Sequence, residues 1–111
     1  MAAETKVSKF QFACKLSELK PNLPRTIEVS DRFIVVVLLN GEVHCIEDLC
    51  THDGGTFGDG ELDGNCLVCP RHGAKFDVRT GEAACMPATE PTLVHDVRIE
   101  NDDVLVCLMD N

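Results

Sequence analysis

Two short stretches of this 111-residue chain set soft metal donors at close spacing: CTHDGG at residues 50–55 and CPRHGAKF at residues 69–76. Each places a cysteine just ahead of a histidine, as Cys50-x-His52 and Cys69-x-x-His72, with sixteen residues between the motifs. A thiolate and an imidazole both bind transition metals well, so each pair can supply half of a site. Two such pairs at matching loop positions argue against chance. Two cysteines and two histidines also make a good tetrahedral set for one zinc ion. Zinc fingers usually pair cysteine with cysteine and histidine with histidine, whereas here each loop contributes one of each. That division suits two metal atoms side by side, one held by both thiolates and the other by both imidazoles.

Loops of this kind need a rigid frame, and the pattern of the chain supplies strands. VSKFQFAC (7–14) reads as a first strand, followed by a helical turn at LSEL (16–19). Pro21 and Pro24 interrupt the chain before TIEV (26–29). FIVVVLL (33–39) is apolar on both strand faces, which predicts a central strand buried on both sides. Asn40-Gly41 is the strongest hairpin signal, since both residues accept positive φ. EVHCIEDL (42–49) runs back from it and delivers Cys50, while NCLVC (65–69) delivers Cys69. KFDV (75–78) leaves through a turn at Thr80-Gly81, and VHDVRIE (94–100) turns at residues 101–103 into VLVCLM (104–109). Short strands between frequent turns predict an all-β fold, an antiparallel β-sandwich or open barrel, with helix content near nil.

Composition narrows the function. A chain of 12.1 kDa has room for one core, and its 44% apolar content is enough to build it. The formal net charge is −9. The first 32 residues carry six Lys/Arg against four Asp/Glu, and the remaining 79 carry four against fifteen. Such a surface repels a phosphate backbone, which excludes nucleic acid as a partner, and suits docking to a basic protein. The opening MAAETKVSKF is charged where a signal peptide needs an apolar core, and FIVVVLL is too short to span a bilayer. Seven cysteines, an odd number without the spacing of a secreted scaffold, fit a reducing, cytoplasmic setting. Cys14, Cys45, Cys85 and Cys107 read as small buried hydrophobes, and Cys66 lies close to the second loop. His44 and His95 fall within strands and read as structural. The acidic string Asp53, Asp59 and Asp63 lacks the spaced oxygens and closing glutamate of a calcium loop.

From Cys50 to about Pro87 the chain resembles a Rieske iron–sulfur domain, in the words CTHDGG, GDGELDG, CPRHGAKFDVRTGE and MPATEP. Within that family it looks most like the small soluble ferredoxins that serve ring-hydroxylating dioxygenases. The resemblance implies a single Rieske domain over 1–111. Its small cluster-binding subdomain, at about 45–88, would be inserted in a β base formed by 5–44 and 89–109. It also implies one [2Fe–2S] cluster, with Cys50 and Cys69 on the buried iron and His52 and His72 on the outer one. Two thiolates leave the oxidised cluster neutral where four would leave it doubly negative, so histidine ligation raises the reduction potential. Gly54 and Gly73 would permit the loop turns, and Pro87 would shield the cluster.

High-potential members of the family add two cysteines that join the loops by a disulfide; the matching positions here hold Gly55 and Arg71. They also offer serine and tyrosine hydroxyls to the cluster sulfurs, where this chain has Ala74 and Phe76. The resemblance therefore implies the low end of the Rieske range. The expected role is a carrier, not an enzyme by itself. It would take electrons from an NAD(P)H-dependent flavin or ferredoxin reductase and pass them to a terminal oxygenase by electrostatic docking, with Arg71 and Lys75 as local docking charges or as merely solvated ones. A nitrite reductase small subunit, a redox protein of iron–sulfur assembly and a structural zinc module are the alternatives.

Overall fold

A computed structural model describes residues 9–51, 55–57, 60–70, 73–86 and 90–109. They form ten strands: β1 (Gln11–Lys15), β2 (Arg25–Val29), β3 (Arg32–Leu39), β4 (Glu42–Glu47), β5 (Glu61–Asp63), β6 (Cys66–Val68), β7 (Lys75–Asp77), β8 (Ala83–Cys85), β9 (Val94–Glu100) and β10 (Asp103–Cys107). One 3₁₀ turn, Leu16–Glu18, is the single helical element among the described residues, so the expected all-β class is what the chain adopts. Two antiparallel sheets result. A six-stranded sheet in the order β1-β10-β9-β4-β3-β2 curls into a nearly closed barrel, with β1 and β2 at its free edges. Ser30 Oγ donates to Gln11 Oε1 across that seam. A four-stranded sheet, β5-β6-β7-β8, is made wholly of strands from the stretch between β4 and β9.

Strand β3 explains why there are two sheets. Facing residues in an antiparallel pair share a side of the sheet, so the register with β4 sorts its side chains. Ile34 and Val36 point into the barrel, where they meet Cys14, Leu19, Val29, Cys45, Val104 and Val106. Val35, Val37 and Leu39 point the other way, with Ile46, onto Leu67, Phe76 and Val78 of the small sheet. The strand expected to be buried on both faces is so because each face has its own core. Leaving three such aliphatic side chains in water would forgo about 1.5–3 kcal/mol apiece.

The Asn40-Gly41 turn joins β3 to β4 with φ of 53° and 81°, the geometry the pair favours. Two strands, β5 and β8, have no clear signal in the sequence. Each is three residues long, and each forms an edge of the small sheet. Cys85 corrects the expectation of a buried thiol: it is exposed, because it lies on edge strand β8 opposite the outward-facing Lys75. Cys14, Cys45 and Cys107 are buried as expected. Burial pushes the Cys14 thiol up and the Cys45 thiol far above its ordinary range, which suits inert packing.

Gly81, in the turn between β7 and β8, ties the two sheets together. Its N–H donates to the Asp77 carbonyl at 2.7 Å, and its carbonyl accepts from Thr92 N–H at 2.8 Å. Its φ is +80°, and an added Cβ would stand 2.3 Å from the Thr92 carbonyl oxygen. Gly81→Ala should therefore lower stability by roughly 2–4 kcal/mol, combining backbone strain with overpacking. Gly41→Ala meets open space, leaving only the left-handed backbone, at about 1 kcal/mol. Equal shifts in the urea midpoint of the two variants would refute the close packing at Gly81.

Candidate metal centre

Both candidate thiols begin loops that close in the same way. Cys50 follows β4, and its N–H donates to the Gly55 carbonyl at 2.8 Å. Cys69 follows β6, and its N–H donates to the Ala74 carbonyl at 2.7 Å. In each case the chain returns to the cysteine after five residues, and in the sequence each histidine falls within that span. Gly73, at φ +78°, makes the second return, with its N–H on the Cys69 carbonyl at 3.0 Å. His52 and His72 themselves lie outside the described residues, as do Asp53, Gly54, Gly58, Asp59, Arg71 and Pro87.

The two sulfurs share one environment. Cys50 and Cys69 are 0% and 1% exposed and belong to the same buried cluster, with Phe57, Ala74, Phe76 and Val78. Phe57 and Phe76 meet edge to face, with centroids 5.5 Å apart. None of the seven cysteines forms a disulfide. Among the described residues no group of three or more His, Cys, Asp or Glu side chains is assembled for a metal. The described half of the donor set still fits an iron–sulfur centre, with two thiols brought by parallel loops into one apolar, water-excluding environment. A buried thiolate is costly unless paired or metal-bound, and a metal is the partner this arrangement suits.

Polar ties fix the loops to the frame. Asp48, two residues before Cys50, is buried, and its Oδ1 accepts the Phe57 N–H at 2.7 Å. Asp48 N–H in turn donates to the Phe33 carbonyl at 3.0 Å. Thr51 Oγ1 donates to the Glu90 carbonyl at 2.7 Å, linking the first loop to the stretch that returns to the barrel. Cys85 Sγ reaches the Gly73 carbonyl at 3.6 Å. Sequence reasoning missed Asp48. The available signal was an acidic residue where an alternating apolar strand runs into a glycine-rich loop, a common place for a carboxylate to hold a backbone amide.

The described cations near the site, Lys75 and Arg79, are each paired with a carboxylate. Lys75 holds Asp63 at 2.6 Å, and the hydrogen bond keeps that carboxyl below the usual carboxylate range. Arg79 holds Asp77 with both Nη2 and Nε, to the same effect. Asp63 is thus an ion-pair partner in the structure. Cys66, half-buried opposite Asp77, has its thiol pushed up first by burial and then by that carboxylate. His44 sits 3.7 Å from Glu42 on β4, and His95 is buried in the barrel.

Comparison with known proteins agrees with this picture. The sequence profile of the Rieske [2Fe-2S] domain matches residues 9–108. The ferredoxin component of the naphthalene 1,2-dioxygenase system of Pseudomonas putida is 33% identical over 96 residues, 86% of this chain and 92% of that protein. The 3-phenylpropionate/cinnamic acid dioxygenase ferredoxin subunit of Escherichia coli is 33% identical over 100 residues, 87% of this chain and 92% of its own. Among solved structures, the ferredoxin of carbazole 1,9a-dioxygenase from Nocardioides aromaticivorans superposes with a TM-score of 0.85 at 29% identity, covering 90% of this chain and 98% of that one. A ferredoxin chain in a complex of reduced oxygenase and oxidized ferredoxin of carbazole 1,9a-dioxygenase gives 0.82 at 30% identity, covering 92% and 94%.

The Asp48 contact is open to direct test. Asp48→Ala leaves the buried Phe57 N–H without an acceptor and should cost about 2 kcal/mol, with less iron retained per chain after purification. Asp48→Asn keeps a carbonyl oxygen in place and should lose much less. Chemical denaturation and iron analysis of the two variants measure both effects, and equal losses would show that the hydrogen bond is not what matters.

Proposed function

Because the chain belongs to the Rieske [2Fe-2S] family, we propose that it is the ferredoxin of a dioxygenase system, holding one [2Fe–2S] cluster on Cys50, Cys69, His52 and His72. Ferredoxin components are electron carriers, and the chain is a carrier rather than an enzyme. When bound, the cluster supplies a site that takes up and gives back one electron. The observation that carries the reading is the pair of buried thiols, each at the start of a loop closed by the same five-residue return. In this reading residues 5–44 and 89–109 form the base, and residues from about 45 to 88 form the cluster-binding subdomain.

The residues of the site set its redox character. Ala74 and Phe76 are fully buried against the cysteines and offer only carbon where a hydroxyl could stabilise a more negative state. Gly55 and Arg71 cannot form a disulfide between the loops. This chain accordingly works near the low end of the Rieske range of about −150 to +300 mV, matched to a flavin or ferredoxin reductase as donor. Its acceptor is a terminal oxygenase, the kind of partner seen with the ferredoxin in the carbazole dioxygenase complex.

The surface supports electrostatic docking. Residues 45–93 hold nine Asp/Glu against three Lys/Arg. Lys75 and Arg79 are engaged by Asp63 and Asp77, while Glu61, Glu82 and Glu90 are exposed. A partner with a basic face around its electron entry point fits this surface. Lys75, expected as a docking charge, is better read as an internal counter-ion. No helix among the described residues is long and apolar enough to cross a membrane, and seven thiols without a disulfide suit the cytoplasm.

Electron paramagnetic resonance before and after dithionite tests the cluster. The oxidised protein should be silent, and the reduced protein should give a rhombic S = 1/2 signal with an average g below that of all-cysteine clusters. Cys50→Ser, Cys69→Ser, His52→Ala and His72→Ala should each abolish it. A colourless, silent protein that binds zinc would overturn the reading. Redox titration should place the midpoint below about 0 mV, and a clearly positive value would remove the proposed donor.

A further inference from the structure

One end of the barrel is closed by a ring of polar groups that the electron-carrier role leaves unused. The carboxylate of Glu47, the last residue of β4, lies between two partners. Its Oε1 is 2.8 Å from His95 Nε2 and accepts from Arg32 Nη2 at 2.9 Å. Met109, just beyond β10, closes the ring with both of its backbone groups. Its N–H donates to His95 Nδ1 at 2.9 Å, and its carbonyl accepts from Arg32 Nη2 at 2.8 Å. The His95 side chain is 0% exposed.

The donors fix the tautomer. A backbone amide can only donate, so Nδ1 must present its lone pair to Met109, and the ring proton sits on Nε2, aimed at Glu47. His95 in this arrangement is neutral. A second proton can enter only at Nδ1, and there it would set one N–H against another. The Met109 bond must then open, while the bond to Glu47 survives because Nε2 still donates.

We propose that this ring is an acid-released clasp, in which neutral His95 holds the end of the C-terminal strand across the barrel and protonated His95 lets it go. The surrounding charges act in both directions. Glu47 from β4 favours the imidazolium, and Arg32 from β3 opposes it. Cys45 stands opposite His95 across the β4–β9 pairing. Asp96, next to it on β9, is exposed and pairs in register with Cys107 of β10. Asp110 and Asn111 lie outside the described residues. The clasp is local: β9 and β10 are also joined by their own ladder, from Asp96–Cys107 to Glu100–Asp103.

Amide hydrogen exchange on the full-length, cluster-loaded, oxidised protein tests this. Exchange is corrected for its intrinsic pH dependence and compared between pH about 8 and about 5, the span over which imidazole takes up a proton. Protection at Met109 should fall about tenfold in the native chain, the order expected for one lost hydrogen bond, while β3 stays protected. His95→Gln can accept from Met109 and donate to Glu47 but cannot titrate, so its protection should not change with pH. Unchanged protection in the native chain, or an equal fall in the Gln variant, would overturn the clasp. Should that variant fail to fold, the ring nitrogen chemical shifts of native His95 decide: a proton on Nε2 alone at pH about 8 and on both nitrogens at about 5 upholds the clasp, and any other pattern overturns it.

Discussion

The rest of the molecule depends on the burial of both faces of β3. A strand with Ile34 and Val36 on one side and Val35, Val37 and Leu39 on the other cannot satisfy both by curling into a barrel, because a barrel buries one face. The second face needs a cover. The chain provides it between β4 and β9, as a four-stranded sheet whose apolar side meets β3 and Ile46. Cys50 and Cys69 lie in that second core. The two thiols proposed to hold the cluster are therefore placed by the same hydrophobic surface that holds the two sheets together.

The small sheet could not stand by itself. Its four strands are three residues long, well short of what an isolated sheet needs for stability in water. It relies on Phe76, Leu67 and Val78 packing against the barrel, and on the Gly81–Thr92 contact, which lets the returning chain approach without a side chain in the way. Asp48 and Thr51 then hold the first loop from either side of Cys50, one to Phe57 and the other to Glu90. These ties act on backbone groups, which fixes the path of the loop more firmly than side-chain contacts would.

Much of this was legible in the sequence because its signals are local. Asn40-Gly41 requires positive φ, the apolar run at 33–39 has no polar face, and the 94–100 and 104–109 stretches flank a polar turn; each gave a strand or turn within a few residues of its place. The cysteine–histidine spacing marked the loops for the same reason. Strands β5 and β8 were not legible, since ELD and AAC are too short to carry a pattern and become strands only by pairing with β6 and β7. The exposure of Cys85 follows from that pairing and could not be read before it. Asp48, His95 and Glu47 were hidden differently. A lone polar residue in an alternating pattern looks solvent-facing until the tertiary fold shows which side of the strand is the core.

The division between the two faces of β4 shows how the chain separates demands that conflict. At the loop end, beyond Glu47, the donors must be soft and dry, and the structure gives Cys50 and Cys69 an apolar surround with no ion pair among the buried residues of that cluster. The ion pairs of the small sheet lie outside that cluster: Lys75–Asp63 is largely exposed, and Arg79 covers a mostly buried Asp77. Glu47 itself turns into the barrel, to Arg32 and His95. Alternation along a strand makes this possible, because Ile46 faces the small sheet and Glu47 faces away from it. A shift of one residue in the β3–β4 register would bring the carboxylate into the sulfur-bearing core. The hairpin at Asn40-Gly41, by fixing that register, protects the chemistry of a site at the far end of the same strand.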